Sequence, residues 1–234
     1  MRVAVTRPQT DGERTAANLR ARGHEVLLAP LMRIEPVVAD LGRGFAAVIV
    51  TSANAASAIV DHPARAALLK LPVYAVGRRS AEAARAAGFA DVVTAGGDVR
   101  DLVQLIVERK ADAKGPLLYL AGEDRAADLI GELTVHGIAS EMRVVYRAAP
   151  APYPPALVAA LKAGELDAVL HFSKRSADSY LSGACDAGVS VEALVPRQLC
   201  LSAQVAAPLQ QAGAARIAVA RRPDEAALID LLGA

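Results

Sequence analysis

Short unbroken apolar runs recur along this chain, separated by helical stretches, and that alternation restricts its fold more than any other feature. A strand buried on one face alternates apolar with polar residues. A run that is apolar throughout, such as Ala47-Val48-Ile49-Val50 or Leu117-Leu118-Tyr119-Leu120, needs cover on both faces. Parallel strands covered by crossover helices provide it. The pattern predicts ten strands, at 2–6, 25–29, 46–50, 73–76, 91–94, 117–120, 140–146, 168–172, 198–201 and 216–219. Helices are predicted between them at 10–22, 53–61, 79–87, 99–110, 125–135, 155–163, 174–184, 204–212 and 224–232. Five of these end on glycine (Gly23, Gly88, Gly137, Gly164, Gly213), where a left-handed cap is least strained.

The pattern also repeats. Residues 2–36 align with 116–150, pairing Leu19 with Leu133, Gly23 with Gly137, Arg33 with Arg147 and Pro36 with Pro150. Residues 47–52 then align with 168–173, and 76–88 with 201–213. Three blocks in one order point to a duplication. Each half supplies five strands, so the expected fold is α/β, with two doubly wound five-stranded parallel sheets. The proline-bounded segments 30–36 and 144–154 hold matching places in the repeats and are the candidate linkers. If the chain crosses at both, one domain is 1–33 with 148–234 and the other, 36–144, is inserted in it. A tandem cut near Lys114 serves the periodicity equally well.

Composition removes several function classes. With 26 basic and 25 acidic residues the chain has no field suited to nucleic acid. Apolar runs stop far short of a bilayer span, and no leader precedes the first strand, so a cytoplasmic protein without a membrane contact is expected. Two cysteines and four histidines show no metal-ligand spacing, so no metal is expected. Cys185, Cys200 and His171 read as apolar filler and core structure. Neither Gly-Arg-Arg-Ser nor Ala-Gly-Glu-Asp is a phosphate-binding loop, and there is no nucleophile elbow.

Open parallel sheets bind ligands beyond the carboxyl ends of their strands, where helix N-termini offer unpaired N–H groups to anions. Here those tips carry Thr6 and Arg7, Ser52 and Asn54, Gly77 and Ser80, Gly122, Ser173 and Ser176, and Ser202. Helix capping explains each one singly. As a set they suit a large, multiply anionic ligand. Tyr146, at the end of an apolar strand on a proposed linker, is the candidate for a phenol facing that ligand.

Read in order, these tips resemble the uroporphyrinogen-III synthase family over essentially the whole chain. The similarity lies in Val5-Thr6-Arg7-Pro8, in Pro30, Ile34 and Pro36, and in Val50-Thr51-Ser52-Ala53-Asn54-Ala55. It continues through Tyr74-Ala75-Val76-Gly77, Tyr119-Leu120-Ala121-Gly122, Val145-Tyr146-Arg147 and His171-Phe172-Ser173. The resemblance implies two α/β domains joined by a two-stranded linker, which selects the inserted arrangement, with the active site in the cleft between them. It implies a cofactor-free lyase that converts hydroxymethylbilane to uroporphyrinogen III in tetrapyrrole and heme biosynthesis, inverting the last pyrrole ring as water leaves. Tyr146 would assist the departing hydroxyl, with Thr6, Arg7, Ser52, Asn54, Gly77, Ser80, Gly122, Ser173, Ser176 and Ser202 binding the tetrapyrrole. A monomer in transient contact with the preceding pathway enzyme goes with that reading. Where many members have threonine, this chain has Val205, and Ser80 keeps a hydroxyl at the equivalent point of the other repeat. Two readings stay open beside the enzyme: a non-enzymatic two-lobed small-molecule binding protein, and a nucleotide- or sugar-handling transferase of similar fold.

Overall fold

The computed structural model describes residues 1–109, 115–124 and 128–233. They form eleven strands and eleven α-helices arranged as an α/β fold of parallel sheets, and cluster into two compact units, Met1–Arg33 with Ala149–Ala234, and Ile34–Ala148. In chain order the elements run β1 (Arg2–Val5), α1 (Gln9–Ala21), β2 (Glu25–Leu28), β3 (Met32–Pro36), β4 (Ala47–Val50), α2 (Ala53–Ala58), α3 (Arg65–Leu68), β5 (Val73–Ala75), α4 (Arg78–Ala86), β6 (Val92–Thr94) and α5 (Val99–Glu108). They continue with β7 (Leu117–Gly122), α6 (Leu129–Val135), β8 (Ser140–Pro150), α7 (Pro155–Lys162), β9 (Ala168–His171), α8 (Lys174–Asp186), α9 (Ser190–Ala193), β10 (Arg197–Cys200), α10 (Ala203–Gln211), β11 (Ile217–Val219) and α11 (Glu225–Asp230). The predicted ends of two helices, at Lys110 and at 125–127, lie outside the described residues.

The first unit holds a five-stranded sheet in the order β2-β1-β9-β10-β11, and every neighbouring pair is parallel. Residues alternate between its faces as strand geometry requires. Ala4, Val169 and Cys200 pack with α7, α8 and α10, while Val3, Val5, Leu170 and Leu199 pack with α1 and α11.

The other sheet corrects one expectation: it has six strands, not five, in the order β3-β8-β7-β4-β5-β6. The added strand is the proline-bounded segment Met32–Pro36. It lies at the sheet edge, where proline's missing N–H is tolerated, and Val37 just beyond it donates to the Val145 carbonyl at 2.8 Å. Val48, Val50, Ala75, Leu118 and Leu120 face α2 and α4, whereas Ile49, Tyr74, Tyr119 and Ala121 face α5 and α6.

The repeat has a structural counterpart. β1 and β2 hold the same places in their sheet as β7 and β8 do in theirs, and β9, β10 and β11 correspond to β4, β5 and β6. Each sheet therefore combines the first two strands of one repeat with the last three of the other. In both, the strand order reverses between a first-block and a second-block strand: β1 and β9 in one, β7 and β4 in the other. That switch point is where an open α/β sheet leaves a crevice for a ligand.

Candidate functional site

The two switch points differ. In the first unit the gap between β1 and β9 is filled from within. Thr6 is fully buried, and its hydroxyl donates to the Leu170 carbonyl at 2.8 Å, across the two strands. Arg7 lies over the Phe172 ring, 4.3 Å from its centroid. Its guanidinium pairs with Glu225 at 2.8 Å and Asp11 at 3.3 Å and donates to Thr15 at 3.2 Å. A side chain so neutralised ties α1 to α11 and is not an open carboxylate receptor. Because the Arg7 and Glu225 side chains are only 16% and 18% exposed, Glu225→Gln is expected to lower unfolding stability by about 2 kcal/mol, read from urea midpoints.

Of the neighbouring tips of that unit, the one at α8 is also internally satisfied. Ser173 and Ser176 form a capping box at the start of α8: each backbone N–H donates to the other's hydroxyl, at 3.2 and 3.1 Å. Ser202 begins α10 without a side-chain cap bond. Val205 is 5% exposed in the core of its unit, and Ser80, its counterpart in the first turn of α4, is 5% exposed too. Both positions point inward.

At the other switch point, polar groups gather around Tyr146. Pairing of β7 with β8 steps from Ala121↔Val144 to Gly122↔Tyr146, skipping Val145. Such a bulge turns the following side chain, here Tyr146, onto a new heading. The ring lies against Gly122, where an added Cβ would sit 2.6 Å from Tyr146 Cζ and 2.7 Å from its hydroxyl oxygen. Only glycine leaves room for it, so Gly122 seats the phenol. On the adjacent β4 tip, Ser52 lies beside the Tyr146 hydroxyl, near enough to act on its ionisation, and its Oγ accepts the Asn54 N–H at 3.2 Å, capping α2. Thr51 Oγ1 meets the Tyr119 hydroxyl at 2.9 Å. Gly77 starts α4 from the tip of β5, close enough to Gly97 that a Cβ would lie 3.3 Å from its Cα.

Burial holds the Tyr146 phenol above its ordinary 10.0; the Ser52 side chain pulls the other way, and Tyr119 and Asp124 add to the rise. The group therefore stays protonated throughout the neutral range, as a proton donor must. Gly122→Ala is expected to displace the ring and reduce kcat about tenfold with the chain still folded, measured by turnover beside thermal unfolding.

The other titratable candidates are structural. His171 is fully buried, hydrogen-bonded through Nε2 to Gln198 Oε1 at 2.8 Å and set edge-on to Tyr180. Cys200 is buried in the core, its thiol pushed up to about 12 by burial. Cys185 differs from expectation: it follows buried Ala184 by one residue on α8 and so faces solvent.

Sequence reasoning thus placed Ser52, Asn54, Gly77, Gly122 and Tyr146 on the strand tips of one unit, but missed the Thr51–Tyr119 pair. A tyrosine inside an apolar strand was the available signal, since a buried phenol usually finds a partner. The family model described as uroporphyrinogen-III synthase HemD matches residues 13–230. The chain belongs to the uroporphyrinogen-III synthase family. It is accordingly a lyase of heme and tetrapyrrole biosynthesis that cyclises hydroxymethylbilane, and membership favours the enzyme over the binding-protein reading. In fold it is similar to the uroporphyrinogen-III synthetase of Helicobacter pylori, with TM-score 0.64 and 21% identity over 99% of this chain and 98% of that one. A mutant uroporphyrinogen III synthase of the extremely thermophilic bacterium Thermus thermophilus aligns with TM-score 0.50 and 20% identity over 100% and 98%. No curated protein matches the chain. No helix among the described residues is long and apolar enough to cross a membrane.

Proposed function

We propose that this chain makes uroporphyrinogen III at the switch point of the six-stranded sheet, with Tyr146 as the acid for the departing hydroxyl. The phenol proton passes to the hydroxyl of the terminal hydroxymethyl group as the C–O bond breaks and water leaves. The phenolate left behind recovers a proton when the pyrrole system sheds one on closing. Left undirected, the azafulvene so formed would close to the unflipped isomer. The enzyme's task is therefore to direct attack to the substituted carbon of the last ring, giving a spiro centre that fragments and recloses with that ring reversed. Holding the reacting carbons in one geometry is an effect that reaches on the order of 7 to 11 kcal/mol in favourable cases.

The observation that carries this reading is the Tyr146 phenol, seated on Gly122 beside Ser52 and kept protonated by burial. Ser52, Asn54 and Gly77, on the tips of β4 and β5, are the positions we assign to substrate carboxylates in this unit. Ser202, whose hydroxyl caps nothing, is the one we assign in the other. The capping pair Ser173 and Ser176, the buried Thr6 and Ser80, and the paired Arg7 hold the tips in shape. In the same reading the two units are two domains, 1–33 with 148–234 and 36–144, joined through 30–36 and 144–154. The enzyme works without a cofactor as a cytoplasmic monomer that takes its unstable substrate from the preceding enzyme.

The test is to add the chain to freshly made hydroxymethylbilane and separate the products. Isomer III in excess supports the proposal; isomer I alone at every enzyme concentration overturns it.

A further inference from the structure

The Thr51–Ser52 peptide is held from both faces of the six-stranded sheet. Alternation along β4 sends Val48 and Val50 to the side of α2 and α4, and Ala47 and Ile49 to the side of α5 and α6. Continued past the strand, that alternation puts Thr51 on the α5 and α6 side, where its Oγ1 meets the Tyr119 hydroxyl at 2.9 Å. Ser52 falls on the opposite side, the side of Tyr146, which packs against the α2 and α4 core. Tyr119 is 5% exposed and pairs through its backbone with Ile49, two residues short of Thr51, so its ring runs along the strand to reach the tip.

We propose that Tyr119 is a positioning residue for the cyclisation: its buried hydroxyl pins Thr51, and through the Thr51–Ser52 peptide keeps the tip of β4 in place beside the Tyr146 hydroxyl. The inference rests on the acid role of Tyr146. On the other face, Ser52 Oγ is held by the Asn54 N–H at 3.2 Å at the start of α2, so Thr51 and Ser52 anchor the tip of β4 from opposite sides of the sheet.

The test is a set of variants read by kcat, KM and the ratio of isomer III to isomer I. Tyr119→Phe and Thr51→Val should each lower kcat about tenfold, with KM little changed and isomer I rising, since a badly aimed acid leaves more hydroxymethylbilane to lose water and close off the enzyme. Thr51→Ser, which keeps the hydroxyl, should restore the wild-type ratio. The double variant should be no worse than either single one, because both remove the same bond. On a Tyr146→Phe background, Tyr119→Phe should add nothing. If it lowers kcat there by its full factor, Tyr119 does not act through Tyr146, while the acid reading stands. A Tyr146→Phe chain at full rate removes the acid reading itself. A crystal structure of Thr51→Val in which Ser52 still lies beside Tyr146 overturns the positioning role whatever the kinetics show.

Discussion

Replacing Tyr146 with phenylalanine is expected to lower kcat about a hundredfold while the chain stays folded. The ring would remain on Gly122 and only the hydroxyl would go, a change of about 1 kcal/mol or less in stability. Turnover of fresh hydroxymethylbilane beside a thermal unfolding curve separates the two effects. A protein that melts normally yet turns over slowly is the expected result; full turnover would leave Tyr146 with at most a binding role. The pH profile gives an independent reading. Since burial raises this phenol above 10.0, its deprotonation should remove no activity across the neutral and mildly alkaline range.

The second large effect concerns acid stability. Burial lowers the His171 pKa from 6.5 to about 4, so the folded chain holds the ring neutral while the unfolded chain protonates it near 6.5. The resulting stability, about 3 kcal/mol, is fully present above pH 6.5 and is lost as the pH falls through about 4. Gln198 fixes the tautomer: its amide nitrogen donates to the Ala193 and Pro196 carbonyls, so its oxygen accepts from His171 Nε2–H. A proton added in acid goes to Nδ1, which is buried and has no partner. Urea unfolding across that range should show the slope in wild type and a shallower one in His171→Phe. Equal slopes would show that His171 does not govern the transition.

Much of the fold was legible because burial on both faces leaves a plain trace. The runs at 47–50, 117–120 and 168–170 are apolar throughout, and each lies in a central strand. Gly23 and Gly137, predicted as helix ends, have φ of +82° and +66°, as a left-handed cap requires. Features that depend on few residues did not show. The helices Arg65–Leu68 and Ser190–Ala193 are too short to display a helical period. Met32–Pro36 read as linker because its flanking prolines signal a loop, and only its edge position makes a strand of it.

The candidate site was legible as a set of strand tips but not as a constellation. Arg7 has the right chemistry for a carboxylate and stands at a strand end, yet a glutamate 218 residues away neutralises it. The sequence also carries no sign that Gly122 and Tyr146 touch. Their meeting depends on one skipped residue, Val145, in the register of β7 and β8. Register and long-range pairing are tertiary properties, and local pattern does not encode them.

If Tyr146 and the strand tips beside it hold a tetrapyrrole for closure, a crystal structure of the chain with uroporphyrinogen III bound will show it. The bridging carbon that lost the hydroxyl is expected beside the Tyr146 oxygen, with carboxylates on the backbone N–H groups at Ser52 or Gly77 or on the Asn54 side chain. A macrocycle seated away from Tyr146, with those N–H groups facing only solvent, would contradict it.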